Sequence, residues 1–291
     1  MHIYNIHENR RERFVLRTVE IKVEGLPSAF KGFRIAQLTD LHYGPATSAK
    51  HLEAAVKLTN SLGPDLIVLT GDYIQNSRLG IRHRLATDVN PKLFGLMNQR
   101  RAVRQLANDL GTILEPLEAP KGIIGVFGNH DYIEGIGSIR KRLPQRINWL
   151  VNSAQQMRSQ EGSLLIAGVD DTRRGTPNLE HTVQSAIAEL RGCPEPFFKI
   201  LLSHNPDVVL ERSRHLLTEF DLILCGHTHG GQIRLPLLGA PITRTKQRHH
   251  TSLLSDFHDS KIYVNHGVGY GGITVRLFCP PEITIFEFQE L

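Results

Sequence analysis

Five short apolar runs in this chain each end in side chains that can bind metal ions. Phe33 to Leu38 leads into Thr39-Asp40-Leu41-His42, Leu66 to Leu69 into Thr70-Gly71-Asp72, and Ile123 to Phe127 into Gly128-Asn129-His130-Asp131. Lys199 to Leu202 leads into Ser203-His204-Asn205-Pro206, and Leu222 to Cys225 into Gly226-His227-Thr228-His229. Runs this short and this apolar read as buried strands. In an α/β fold the carboxyl ends of buried strands lie along one edge of the sheet, where ligands bind. The repetition therefore predicts an α/β fold in which the five endings converge.

The segments between the runs fit that scheme. Phe14 to Val23 alternates like a strand, with Val15, Val19, Ile21 and Val23 on one face, and Arg17 interrupts the apolar pattern, which suggests an edge strand. Thr47 to Leu62 has helical spacing, with Thr47 or Ser48 as the cap and Gly63-Pro64 as the stop. After His229, Lys261 to His266, Ile273 to Phe278 and Ile283 to Phe288 are strand-like, so the second half is expected to add a second sheet. No internal repeat, low-complexity tract or linker divides the chain, and residues 1–291 read as a single domain. Residues 74–111 read as a basic insertion near the converging ends, rich in arginine and carrying Leu93, Phe94, Leu96 and Met97; a solvated helical excursion is the competing reading.

Composition sets limits. The chain has 291 residues, 40% of them hydrophobic, enough for an ample core. No apolar run approaches the roughly 18 residues that span a bilayer. Met1 to Arg13 is charged and has no secretory apolar stretch, so a cytoplasmic location is the expectation. Cys193, Cys225 and Cys279 are odd in number and widely spaced, offering neither a disulfide framework nor a zinc-binding pair. A net charge of +5 suits anionic substrates, and 15 histidines are a generous supply of the commonest metal ligand.

A pair of divalent cations needs carboxylates, imidazoles and one bridging group. The endings supply Asp40, His42, Asp72, Asn129, His204, His227 and His229. Asp40 and His42 are two residues apart, as are His227 and His229, so on extended backbone each pair points the same way. Gly71, Gly128 and Gly226 would let the chain turn tightly nearby. Such a nitrogen and oxygen shell accepts manganese, zinc, iron or cobalt.

In order and spacing, from about Phe33 to Phe288, these motifs resemble the five ordered motifs of the calcineurin-like metallophosphoesterases. The resemblance implies a two-sheet β-sandwich flanked by helices, in four layers α/β/β/α. It implies two metal ions: one held by Asp40, His42 and His229, the other by Asn129, His204 and His227, with Asp72 bridging. Water activated between the cations would attack phosphorus in line. His130 resembles the family histidine that faces the substrate, stabilising developing charge or protonating the leaving oxygen, and Asp131 would orient its imidazole. All seven ligands and His130 are present, which favours an active hydrolase over a non-catalytic binding scaffold on the same fold.

The continuation Gly226 to Gln232, together with Tyr263-Val264-Asn265-His266-Gly267, Arg276 and Pro281-Glu282-Ile283, is similar to the bacterial YaeI/YkuE-type phosphodiesterases. That resemblance implies phosphodiester or pyrophosphate hydrolysis of a small phosphorylated or lipid-linked nucleotide, with no nucleic-acid partner. Some relatives of that type are UDP-2,3-diacylglucosamine pyrophosphatases of lipid A synthesis. The basic N-terminal run Arg10-Arg11-Glu12-Arg13 and the basic insertion suggest peripheral contact with the inner face of an anionic membrane. His266 stands before Gly267-Val268-Gly269-Tyr270-Gly271-Gly272, either approaching the substrate or serving structure. His249-His250 read as part of a solvated basic loop.

Overall fold

The computed structural model describes residues 2–11, 13–76, 93–160, 162–246 and 253–291, with backbone alone at 2–7, 9–11 and 93–98. The apolar runs form strands. The first sheet has the order β1-β2-β13-β3-β4-β5-β6, from β1 (His2–Arg11), β2 (Phe14–Val23), β3 (Arg34–Leu38), β4 (Leu66–Thr70), β5 (Ile123–Val126), β6 (Ile147–Trp149) and β13 (Glu282–Glu290). The second sheet has the order β11-β12-β10-β9-β8-β7, from β7 (Ser153–Arg158), β8 (Ser163–Gly168), β9 (Phe197–Leu202), β10 (Leu222–Cys225), β11 (Leu253–Phe257) and β12 (Ser260–Val264). β3 to β6 run parallel in one sheet, and β8, β9, β10 and β12 run parallel in the other.

Side-chain alternation makes the four layers. Leu66 and Val68 of β4 meet Ile200 and Leu202 of β9 and Leu222 and Leu224 of β10 in the apolar layer between the sheets. Ile67 and Leu69 point the other way, beneath α1 (Ala49–Ser61) and α2 (Leu93–Leu114), where Leu52, Ala55, Ala107 and Leu110 are buried. Leu201, Ile223 and Cys225 face α4 (Leu179–Leu190), against Leu179, Val183 and Ala186. Each fully buried side chain of this size contributes roughly 1.5–3 kcal/mol, so the continuous apolar runs belong inside a sandwich covered on both outer faces. The fold is the α/β two-sheet sandwich flanked by helices. Ser48 caps α1, its side chain accepting from the His51 N–H.

Several expectations need correction. The five endings lie on two sheets, three on the first and two on the second; packing the sheets face to face sets their carboxyl ends side by side, and Gln37 Nε2 donates to the Cys225 carbonyl across the gap at 3.0 Å. β2 lies between β1 and β13 and is no edge, because Arg17 is paired on both sides: Nε with Glu282 at 2.9 Å and Nη1 with Glu8 at 2.6 Å. The second sheet starts at β7, well before His229, and the last strand returns to the first sheet. Residues 273–278 form a loop with one isolated bridge, Ile233 to Leu277, and the carbonyls of Ile273 and Val275 are taken by the Gln232 side chain. Of residues 74–111, the part from Leu93 is a helix that buries Val103, Ala107 and Leu110. Arg78, Arg82, Arg84 and Lys92 lie outside the described residues, as do His249 and His250, and so do the side chains of Arg10, Arg11, Leu93, Phe94, Leu96 and Met97.

Candidate metal centre

The loops after β3, β4, β5, β9 and β10 converge. The ligand atoms of Asp40, His42 and His229 lie within 4.8 Å of one another, as do those of Asp72, His204 and His227, and those of His42, Asp72 and His130. Asp72 Oδ2 stands 3.5 Å from His42 Nε2 and 3.3 Å from His204 Nε2, so one carboxylate faces both groups. On one side His229 Nε2 is 3.0 Å from His42 Nε2 and 3.3 Å from Asp40 Oδ1. On the other, His204 Nε2 is 3.1 Å from His227 Nδ1. Asn129 lines the same cleft, of about 950 Å³, with Asp72, His130 and His227.

The turns that aim these groups are strained. Asp40, His42, Asp72, His227 and His229 all have positive φ, from 44° to 67°, so the expectation of extended backbone for the two residue pairs is wrong. The left-handed region costs a residue with a Cβ roughly 1 kcal/mol or more, a cost that persists where surrounding contacts fix the turn. Here Asp40 N–H donates to Gly71 O, His42 N–H to Asp72 O, and His227 N–H to Asp40 Oδ2. Of the three glycines expected to turn the chain, Gly71 alone has positive φ; Gly128 and Gly226 are needed for close approach. A Cβ on Gly226 would stand 2.1 Å from Thr39 Oγ1 and 2.4 Å from Asp40 Oδ2.

Hydrogen bonds choose which imidazole nitrogens face the cluster. A carbonyl only accepts, so His204 Nδ1 donates to Thr70 O at 2.7 Å, whereas His227 Nε2 lies 3.1 Å from both Arg244 O and Arg173 Nη1, an acceptor and a donor that call for opposite tautomers. The rings are thereby turned so that His204 Nε2 and His227 Nδ1 face the cluster and each other at 3.1 Å. Burial lowers the basicity of His227 to a pKa of about 3, with the charge of His204 adding to it, and burial also holds His229 low. Both are neutral at pH 7, as ligands must be. Burial works against protonation of His204 too, but Asp72 and Asp40 outweigh it and raise its pKa to about 10 in the metal-free centre, so a cation binding there would displace that proton. Asp40 Oδ1, His42 Nδ1 and Asn129 Oδ1 are buried without a hydrogen-bond partner. Buried polar atoms left unpaired are costly. Orphaned oxygens beside converging imidazoles fit divalent cations.

His130 is half-buried, its ring edge-on to His42 at 4.9 Å and its backbone N–H donating to Asp72 Oδ1 at 2.7 Å. Burial lowers its pKa to about 4, against the pull of Asp72. The motif predicts that Asp131 orients that imidazole, and it does not: its carboxylate is taken up by backbone donors. Its Oδ2 accepts the N–H groups of Asp72 (2.9 Å) and Gly128 (2.8 Å), and its Oδ1 that of Tyr73 (2.8 Å). Asp131 caps a helix N-terminus and fixes the Asp72 turn, because the chain after Gly128 starts α3 (Asn129–Glu134) and carries Asp131 beneath it.

Some residues at the site went unnoticed in the sequence. β8 is a sixth apolar run, ending at Asp170-Asp171, which the same pattern of endings would have flagged. Asp171 Oδ2 accepts the N–H groups of Arg173 and Arg174, setting both on the cleft wall. Arg173 Nη1 reaches within 3.1 Å of His227 Nε2, and Arg244 and Lys246 line the same cleft. His266 is buried, with Nδ1 3.2 Å from Glu282, which decides for the structural role. The following glycines run against the Asp40 loop: Val268 N–H donates to Thr39 O and Gly269 N–H to Asp40 O.

A two-sheet sandwich with carboxylates and imidazoles gathered on both sides of one aspartate is the architecture of a dimetal hydrolase. Residues 33–231 match the family model for calcineurin-like phosphoesterases, and the chain belongs to that family. It is similar to the uncharacterized metallophosphoesterase YkuE of Bacillus subtilis, 32% identical over 284 residues covering 96% of this chain and 87% of the relative. It is also similar to the phosphodiesterase YaeI of Escherichia coli, 29% identical over 265 residues covering 88% and 82%. A dimetal phosphatase from Danio rerio superposes with a TM-score of 0.46 at 12% identity over 82% of this chain and 88% of that one, too distant to carry an argument. The protein is a metal-dependent phosphoesterase, and its clusters fit a dimetal centre. No helix among the described residues is long and apolar enough to cross a membrane.

Proposed function

We propose that this protein hydrolyses phosphodiester or pyrophosphate bonds in a small phosphorylated substrate. Asp40, His42 and His229 hold one divalent cation, Asn129, His204 and His227 hold a second, and Asp72 is shared. The carrying observation is the position of Asp72 Oδ2, 3.5 Å from His42 Nε2 and 3.3 Å from His204 Nε2. Two cations bound there lower the pKa of water and neutralise phosphoryl oxygens. The protein supplies the rest. Thr70 O orients the ring of His204, and contacts at Nε2 orient that of His227. Asp131 holds the amide of Asp72 and so fixes its turn, and the His130 N–H holds the carboxylate through Oδ1. His130, with its pKa of about 4, is neutral at pH 7 and acts as an N–H donor to a phosphoryl oxygen rather than as a proton source.

Arg173 and Arg244 make no ion pair among the described residues and line the cleft beside Asn129 and His130. They suit the non-bridging oxygens of a phosphodiester or the second phosphate of a pyrophosphate. That a relative is named a phosphodiesterase supports the same reading. The test is metal content together with hydrolysis of bis-p-nitrophenyl phosphate. The parent binds two divalent ions and turns over the diester, chelation abolishes turnover, and Asp72→Ala loses both. An Asp72→Ala variant that cleaves at the parent rate overturns the assignment.

A further inference from the structure

Twelve large apolar side chains are exposed among the described residues, and eight of them lie in two loops, 233–243 and 273–278. Scattered exposed leucines mean little, but a contiguous patch marks an interaction surface. These loops are one surface. Arg234 N–H donates to Leu277 O at 2.9 Å, Leu277 N–H to Gln232 O at 2.9 Å, and Gln232 Nε2 to the carbonyls of Ile273 and Val275. At the tip, Leu235 and Gly239 exchange backbone hydrogen bonds, and Leu237 and Leu238 project from the turn, 107% and 79% exposed. Leu237 and Phe278 hold φ of 66° and 50°. A turn facing water ordinarily places glycine or asparagine there. Here the strained positions carry large apolar groups that point outward.

The patch adjoins the metal centre. Gln232 follows His229 by three residues, and Arg276 Nη2 stands 3.2 Å from His229 Nδ1. From Ile242 the chain continues as Thr243, Arg244, Thr245 and Lys246 into the cleft wall. Within the segment itself the charge is one-sided, and Asp207 and Glu211 face Arg244 and Lys246 only on the cleft wall. From Gly226 to Ser255 the sequence has Arg234, Arg244, Lys246 and Arg248 and no aspartate or glutamate. Apolar tips flanked by cations match the boundary between acyl chains and anionic headgroups. A second copy of this chain would set the same cations against each other.

We propose that loops 233–243 and 273–278 seat this protein on an anionic phospholipid bilayer, with Leu237, Leu238, Ile242 and Phe278 at the acyl boundary and the metal cleft opening beside the headgroups. Docking stands independently of the chemistry. Only the consequence, that phosphoesters borne on lipids come within reach of the site, rests on the proposed hydrolysis.

The test is co-sedimentation of the whole protein with vesicles of phosphatidylcholine alone and of equal parts phosphatidylcholine and phosphatidylglycerol. The parent binds the anionic vesicles more tightly, and high salt weakens the binding. The double variant Leu237→Ser/Leu238→Ser binds them about tenfold or more weakly. It melts at the parent temperature, since both side chains are exposed, and it turns over bis-p-nitrophenyl phosphate at the parent rate. A parent that ignores both vesicles overturns the proposal, as does a double variant that binds like the parent. Self-association of the parent, lost in the double variant without vesicle binding, also overturns it in favour of a contact between copies. A parent that binds vesicles and hydrolyses no phosphoester leaves docking intact and removes the proposed chemistry instead.

Discussion

Asp131 holds Asp72 through the backbone: Asp131 Oδ2 accepts the Asp72 N–H at 2.9 Å, and Asp131 Oδ1 accepts the next amide, that of Tyr73, at 2.8 Å. The turn carrying the shared carboxylate thus rests on a buried second carboxylate. Asp131→Asn keeps the shape but sets an NH2 group against a backbone donor. Metal affinity is expected to fall about 10- to 100-fold. Calorimetric titration of the metal-free variant with Mn²⁺ measures it; an unchanged affinity removes the role.

His130 should separate from the ligands. His130→Ala leaves metal content at the parent level and lowers kcat by about 10²- to 10³-fold. Elemental analysis beside steady-state kinetics checks both halves. Loss of metal in this variant would make His130 a ligand instead.

Arg173→Ala and Arg244→Ala each remove a cation from the cleft wall. A charge-assisted hydrogen bond is worth roughly 1.5–3 kcal/mol, so kcat/KM should fall by about 10- to 100-fold. The loss should be larger for a substrate with two phosphates than for bis-p-nitrophenyl phosphate. Equal losses on both substrates would place the arginines on one phosphoryl group.

Acid should destabilise the fold in a defined window. Burial holds His266 at a pKa of about 4, against 6.5 in an unfolded chain. Between those values the unfolded chain binds the extra proton, so stability is full above pH 6.5 and declines as pH falls toward 4. The decline reaches roughly 3 kcal/mol, at about 1.4 kcal/mol per unit. Glu282 adds a second loss at lower pH. Burial works against its charge, but His266 and Arg17 outweigh that and hold its pKa below 4.5, so its contribution is present above 4.5 and disappears as pH falls through the folded value. Urea denaturation of the parent and of His266→Gln between pH 4 and 7 reads the first effect: the variant should show a flatter slope there. An identical slope would exclude His266 as its source.

Close approach makes the last prediction. Gly226→Ala places a Cβ 2.4 Å from Asp40 Oδ2, a contact that must displace the carboxylate. Metal binding should weaken with far-UV circular dichroism unchanged. Parent-level metal content in this variant would show that the Asp40 loop yields without cost.

Residues near in sequence were legible from the sequence alone. The five apolar runs, a cap for α1 at Thr47 or Ser48 and the polar side chains that end each run follow from patterns of a few residues, because a buried strand and its polar end are local chemistry. The family resemblance added the sandwich. What local pattern cannot carry is the partner of a group. Arg17 reads as a break in a strand until Glu282 and Glu8 lie beside it. Asp131 reads as a partner for His130 until the helix it begins carries it under Asp72. Arg173 and Arg244 carry no motif and reach the cleft only because Asp171 and the loop after His229 bring them there. Sequence thus determined which strands are buried and which side chains end them. Only the tertiary structure decided that those ends divide between two sheets, that the ligands turn through positive φ, and which carboxylate holds which donor. Strand burial depends on hydropathy over five or six neighbouring residues, while hydrogen-bond partnership depends on groups tens to hundreds of residues apart, whose meeting is fixed by packing the whole chain.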